Sequence, residues 1–563
     1  MFEKEIAKAI AAAAGGALTE EEISAALEIP KESKLGDMAL PCFKFARVLR
    51  KAPPVIAQDI ASALVVPECV ERTELAGGYL NFFFDRKYVA EGICALDGWT
   101  GESTRGEREG EGKTVCLDYS SVNIAKPFHI GHLSTTVIGA ALYRIFKYLG
   151  YNAVGINHLG DWGTQFGKLI VAVRNWSSLE EIKGKDEYFL NSLYVRYHRE
   201  AESNPALDDE ARAWFKKIED GDKEAGEYFA AFKEITMKAV GRIYDRLGVT
   251  FDSYAGESFY NDKMDACLDI LREKGLLVKS DGAEVVRLDE YDMPPCLLVK
   301  ADGATLYATR DIAAAYYRKQ TYDFDKCLYV VAYQQNLHFK QLFKVLELMD
   351  FAGAKDMEHI AFGMVSLEDG AMSTRGGRVV WLAEVLDKAV EKAKKIVAEK
   401  NPDNAGQDEI AEAVGVGAVV FSALWNSRIK DIVFSFDKVL NFDGETAPYV
   451  QYTYARCASV LRKAGERAQA DFSALVSDEA YETVKCLLSF EDAVRAAAKS
   501  REPSFVTRYA VELAEKFNRF YIAHRIISDD AGATAARLRL TECVAKTLKC
   551  ALSLIGIKAP ESM

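Results

Sequence analysis

The chain is poor in the residues that build cross-links and metal cages. Its 563 residues include eleven cysteines, placed singly as at Cys42, Cys116, Cys327 and Cys543, with no Cys-x-x-Cys pair. Neither a zinc knuckle nor a disulfide framework is expected, and the thiols read as small buried apolar residues in a reducing compartment. Proline is scarce, with 13 residues against 49% hydrophobic and 28% charged side chains, which excludes a disordered or fibrous chain. The apolar stretches, such as 10–14 and 414–424, fall short of the roughly 20 residues that cross a bilayer. The N-terminus, MFEKEIAKAI, carries acids and lacks the basic start and long apolar run of a signal peptide. A cytoplasmic protein without a membrane partner is expected. Positive charge is also short: a net charge of −13 argues against coating nucleic acid by bulk electrostatics.

What is present is unevenly spread. Residues 491–563 hold twelve Lys and Arg against nine Asp and Glu, and residues 31–51 hold six against two. Basic ends around an acidic middle would let a polyanion be held at the ends and aimed at the centre, although ordinary solvated helix faces give the same pattern. The length implies two to four domains. The first segment opens on a helical pattern, Thr19-Glu20-Glu21-Glu22 supplies a capping box, and the aromatic run Tyr79–Phe84 suits a strand. Residues 101–114, with four glycines and no apolar side chain, read as a linker. From Thr114 the order strand, turn, helix, strand (114–120, about 133–149, 152–157) predicts a parallel pair with a right-handed crossover, hence an α/β core. That pattern returns at 326–331, after an acidic helical stretch at about 175–265. Beyond residue 409 only helical periodicity remains, and an all-α bundle is expected.

Seven histidines occur, yet His129, His132 and His158 fall within about thirty residues of sequence. In His129-Ile130-Gly131-His132 the glycine permits close approach of backbone to ligand where a strand yields to a helix, and a helix N-terminus suits anions. Imidazoles at i and i+3 share a face, and an imidazole donor can stabilise charge building on a displaced phosphate. No third ligand accompanies them, so no metal site is expected. Tyr307 and Asp311, four apart, share a face if helical.

The segment from Asp118 through Asn123, Lys126 and the His129–His132 tetrapeptide, followed by Asn157-His158-Leu159-Gly160-Asp161-Trp162-Gly163, resembles the catalytic core of class I aminoacyl-tRNA synthetases, and within that class the arginyl family. The resemblance implies a Rossmann-type parallel-sheet catalytic domain (114–400, insertion about 175–265) between an N-terminal α+β domain (1–100) that meets the outer corner of tRNA and a helical anticodon-binding domain (409–563). It implies ATP with Mg²⁺, L-arginine and tRNA(Arg) as partners of a monomer. It assigns His129, Gly131 and His132 to ATP and catalysis, and Asp118, Ser120, Asn123, Tyr307, Asp311 and Gln335 to arginine. Asn81 and Phe84 fall at positions that read the D-loop, and Asn518 and Tyr521 near the anticodon. The family's second signature, Lys-Met-Ser-Lys-Ser, is degenerate here: Met372, Ser373 and Arg375 remain for ATP while both lysines are missing, and Lys126 takes the place from which a lysine substitutes. Two other readings stay open. A cysteinyl-like class I enzyme would bring a zinc cluster that these cysteines do not offer, and the missing lysines would suit a non-catalytic tRNA-binding paralogue.

Overall fold

The computed structural model describes residues 2–94, 108–367, 380–400, 406–466 and 468–563, without the side chains of Ser33 and Lys400. The expected linker at 101–114 lies largely outside the described residues, and so do Met372, Ser373 and Arg375. The chain divides into two compact units, one of residues 1–106, 457–490 and 512–547, the other of residues 107–456, 491–511 and 548–563.

In the first unit, Thr19 caps the helix Glu20–Ala26 through a reciprocal capping box with Glu22, satisfying two donors that the helix start leaves open. Three antiparallel strands, β1 (Met38–Pro41), β2 (Val70–Ala76) and β3 (Tyr79–Phe84), form a sheet in the order β1-β3-β2. The aromatic run is thus the central strand, and Phe82 is fully buried.

The second unit is built on a four-stranded parallel sheet. Its first strands are β4 (Thr114–Asp118) and β5 (Asn152–Ile156), joined by the helix Leu133–Tyr148. Five helices lie between Gln165 and Leu247, within and just before the stretch at about 175–265 expected to be acidic and helical. Next comes a small antiparallel sheet, β6 (Leu277–Ser280), β7 (Ala283–Val286) and β8 (Cys296–Val299), which sequence periodicity did not announce because its strands are four residues long. The helix Tyr307–Tyr322 leads to β9 (Lys326–Tyr329) and the helix Asn336–Leu348 to β10 (Met357–His359). The sheet order is β10-β9-β4-β5, all parallel. Both faces of β4 are covered, which explains its unbroken apolar reading. Strand order reverses at β4, with β5 on one side and β9 on the other, so a crevice opens at the carboxyl ends of β4 and β9.

The helical expectation beyond residue 409 needs one correction. Ile432–Phe434 forms a strand, β12, that pairs in parallel with β11 (Val365–Leu367), and three residues are too few to register against helical periodicity. All eleven cysteines are free and ten are buried, as their scattered apolar contexts implied. Among the described residues no helix is long and apolar enough to cross a membrane.

Candidate active site

The crevice is lined first by the segment that leaves β4. Ser120 and Ser121 take left-handed backbone angles, φ 69° and 45°, and turn the chain sharply as it exits the sheet. The Ser120 hydroxyl is buried between Thr136 Oγ1 (2.8 Å) and Tyr244 OH (2.7 Å), so it braces this turn from inside. Asn123 pairs with Gly160 as an isolated parallel bridge. A Cβ at Gly160 would lie 2.2 Å from Asn123 Oδ1, so a glycine is required for the two loops to meet.

His129 is extended, and a 3-10 turn at Ile130–His132 starts the helix Leu133–Tyr148. The backbone N–H of Gly131 donates to His129 Nδ1 (3.1 Å), and that of His129 donates to His132 Nδ1 (3.2 Å). His129 Nδ1 is therefore an acceptor, which puts the proton of its neutral ring on Nε2, whereas His132 Nδ1 also stands 3.3 Å from the His129 carbonyl oxygen, to which it donates in the other tautomer. Burial lowers the pKa of His129, and burial together with neighbouring His129 pushes His132 down to about 3. Both rings, with centroids 4.0 Å apart, are neutral at physiological pH. Past the undescribed stretch the chain returns beside them: Val380 accepts from Ile130 N–H at 3.1 Å, and Trp381 bridges His129. Lys126, three residues before His129, is exposed. The surrounding protein lowers its pKa and Glu257 opposes this, and its exposure keeps it charged at neutral pH.

The other flank holds charges. Asp118, at the end of β4, accepts from Arg318 Nη2 (2.7 Å) and Ser121 Oγ (2.8 Å). Arg318 is fully buried and its Nε and Nη1 have no partner. Burial is the largest influence and opposes its charge, but Asp118 together with the other groups around it keeps its pKa above the usual guanidinium value. Arg318 Nη2 also stands 3.4 Å from His158 Nδ1, and His158 Nε2 lies 3.9 Å from Asp311 Oδ1. Asp311 Oδ2 bonds His338 Nε2 at 2.7 Å. Burial would raise the Asp311 pKa, yet His338 prevails and keeps it below the usual carboxylate range. Tyr307 and Asp311 do share one helix, Tyr307–Tyr322. Tyr307 is exposed, its ring edge-on to His338 at 4.8 Å, and Gln335 is exposed in the turn after β9.

Sequence reading missed Glu257, Arg318 and His338. Burial raises the Glu257 pKa to about 7, with Arg310 opposing and Asp311 and Asp161 assisting. Its loop is moored by Asp161, whose buried carboxylate accepts from Ser258 N (2.8 Å), Ser258 Oγ (2.8 Å) and Lys233 Nζ (2.9 Å). The only sequence trace of Glu257 is a lone acid in a glycine-bearing loop. In the first unit, Asn81 and Phe84 lie in the interior of the sheet, with Phe84 packed on Phe2. That departs from a base-reading surface, because β3 is the middle strand. Phe83, half-buried, reaches the surface there with the Arg72 guanidinium 3.7 Å above its ring. Asn518 is buried and Tyr521 half-buried on the helix Ser504–Ala523.

The chain matches three families: tRNA synthetases class I (R), catalytic domain, over residues 100–436; DALR anticodon binding domain over 450–563; and arginyl tRNA synthetase N terminal domain over 1–84. The arginine–tRNA ligase of Alkaliphilus metalliredigens is 50% identical over 97% of this chain and 96% of that one. The chain belongs to the arginyl-tRNA synthetase family. The arginine–tRNA ligase of Clostridioides difficile is 50% identical over 97% of each chain. The solved arginyl-tRNA synthetase of Thermus thermophilus superposes with a TM-score of 0.82 at 27% identity, covering 100% of both chains. As a member of the arginyl-tRNA synthetase family, the protein is an arginine–tRNA ligase, with ATP, arginine and tRNA as its reactants.

Proposed function

We propose that the neutral pair His129 and His132 stabilises the α-phosphate of ATP as the arginine carboxylate displaces pyrophosphate, and that Lys126 faces the departing pyrophosphate. The observation that carries this reading is the acceptance at His129 Nδ1, which leaves its Nε2–H free to donate beside the neutral His132 ring. Gly131, which lacks a side chain beside the phosphates, and Met372, Ser373 and Arg375 complete the ATP site in this reading.

On the opposite flank Asp311 receives the arginine guanidinium, with Tyr307, Gln335 and Asn123 around it and Glu257 as a second carboxylate. Asp118, spent on Arg318, and Ser120, spent on Thr136 and Tyr244, act by positioning rather than by touching substrate. The arginyl group then passes to the terminal ribose of tRNA(Arg).

Among the described residues no group of three His, Cys, Asp or Glu could hold a metal ion. In this reading Mg²⁺ therefore arrives on the phosphates of ATP as part of the substrate. We further place domain limits at 1–100, 114–400 and 409–563, with Asn81 and Phe84 shaping the strand that presents Phe83 to tRNA, and Asn518 and Tyr521 toward the anticodon. The protein works as a cytoplasmic monomer. Arginine-dependent exchange of pyrophosphate into ATP, with tRNA present, tests the assignments. Variants at His129 or Asp311 that exchange at the wild-type rate would sink them.

A further inference from the structure

Far from the crevice, within the second unit, lies a cavity of about 440 Å³ lined by Arg144, Arg246, Gly248, Glu412, Lys549 and Lys558, among others. Two of its charged groups neutralise each other. Arg246 bonds Glu412 at 2.7 Å and Asp387 at 2.6 Å. Arg144, Lys549 and Lys558 form no ion pair with any described carboxylate. The Arg246 cluster carries two carboxylates for one guanidinium, which leaves three cations without a direct carboxylate partner against one excess negative charge, and like charges held together repel unless an anion joins them.

The guanidinium is also held in place. Arg144 Nη2 donates to the Gly248 carbonyl at 2.6 Å. Gly556, at φ +77°, packs so closely that a Cβ there would lie 2.7 Å from Arg144 Nη1. Burial disfavours the Arg144 charge, and only Tyr119 and Tyr143 oppose this, with no carboxylate contributing.

We propose that this cavity binds a multiply charged, phosphate-bearing anion. A planar fork flanked by two point-like ammoniums suits phosphate oxygens, and a single carboxylate would leave two cations uncompensated. The volume falls in the range of small-molecule sites. The same chemistry is offered by a free phosphorylated compound and by a tRNA backbone phosphate. The site would clamp two helices that serve the crevice. Arg144 lies twelve residues along the helix that follows His132, about 18 Å away. Gly248 ends the helix whose Tyr244 holds Ser120.

Inorganic phosphate titrated into the full chain by calorimetry provides the test. Lys549 and Lys558 are both exposed, so the double variant Lys549→Gln/Lys558→Gln folds. It should bind phosphate at least about tenfold more weakly than wild type. Gly556→Ala keeps every charge but displaces the fork, and should weaken phosphate binding similarly. Equal phosphate affinity in wild type and the double variant, or no binding by wild type, overturns the proposal. Filter retention of tRNA across salt concentrations separates the sources. A double variant that loses tRNA affinity, with a log–log salt slope reduced by about one or more, assigns the anion to the tRNA backbone. Unchanged tRNA binding, alongside weakened phosphate binding, assigns it to a free phosphorylated compound.

Discussion

Around His129 and His132 the crevice is furnished with neutral rings, whereas around Asp118, Asp311 and Glu257 it is furnished with carboxyl groups. Both flanks are partly buried, and burial penalises ionised groups. The histidines respond by shedding their protons, because burial disfavours their charged form. Asp311 is held below the usual carboxylate range with His338 at 2.7 Å, and Asp118 accepts from Arg318 at 2.7 Å. Glu257, with no such close partner, is pushed up to about 7. Burial acts on every one of these groups, and a close charged partner is what separates Asp311 from Glu257.

Breaking the buried pair should have the largest effect. Arg318→Met leaves Asp118 charged and uncompensated, which costs about 3–5 kcal/mol. A lowered thermal midpoint and a raised KM for arginine are expected, and a variant as stable as wild type would break the comparison at its foundation. Asp311→Asn removes the charge proposed to meet the substrate guanidinium. A loss in kcat/KM for arginine of about 10³ is expected, with the KM for ATP little changed.

On the neutral flank, His129→Ala or His132→Ala should lower kcat in pyrophosphate exchange by about 10²–10³. Rings that are neutral throughout should also leave kcat flat as pH falls through 6.5, and a break there would mean they act as cations. Stability carries the same signature. Between about pH 6.5 and 3 the unfolded chain takes up a proton that folded His132 refuses, so His132 destabilises the fold progressively as the solution is acidified across that window. His132→Gln should flatten that part of the stability profile.

The smallest effect belongs to Glu257, whose carboxyl is protonated below about pH 7 in the free protein. Binding of a cationic substrate favours the ionised form, so arginine binding should release a proton. The KM for arginine should rise by up to about tenfold per pH unit on acidification below 7, and Glu257→Gln should abolish that dependence. A KM that stays level in the wild type would remove Glu257 from the pocket.

Much of the site was legible because its chemistry is local in sequence. Residues 118–132 are one strand, one turn and one helix start, and Tyr307 with Asp311 is one helical repeat. Glu257, Arg318 and His338 were illegible for the opposite reason. Arg318 is 200 positions from Asp118, and nothing in the spacing of a helical arginine announces that it lies under β4. The aromatic run at 79–84 was read correctly as a strand, but its central place in the sheet, which buries Phe84 and leaves Phe83 at the surface, depends on pairing with strands at 38–41 and 70–76.

By itself, the sequence determined the α/β core, the helix start at the His129–His132 tetrapeptide and the candidate substrate side chains, because periodicity and motif spacing act over a few turns of chain. Only the tertiary structure decided protonation and reach. Whether an imidazole donates, a carboxylate is spent on an internal guanidinium, or a serine braces a turn depends on which distant groups arrive within about 3 Å, where hydrogen bonds and charges act.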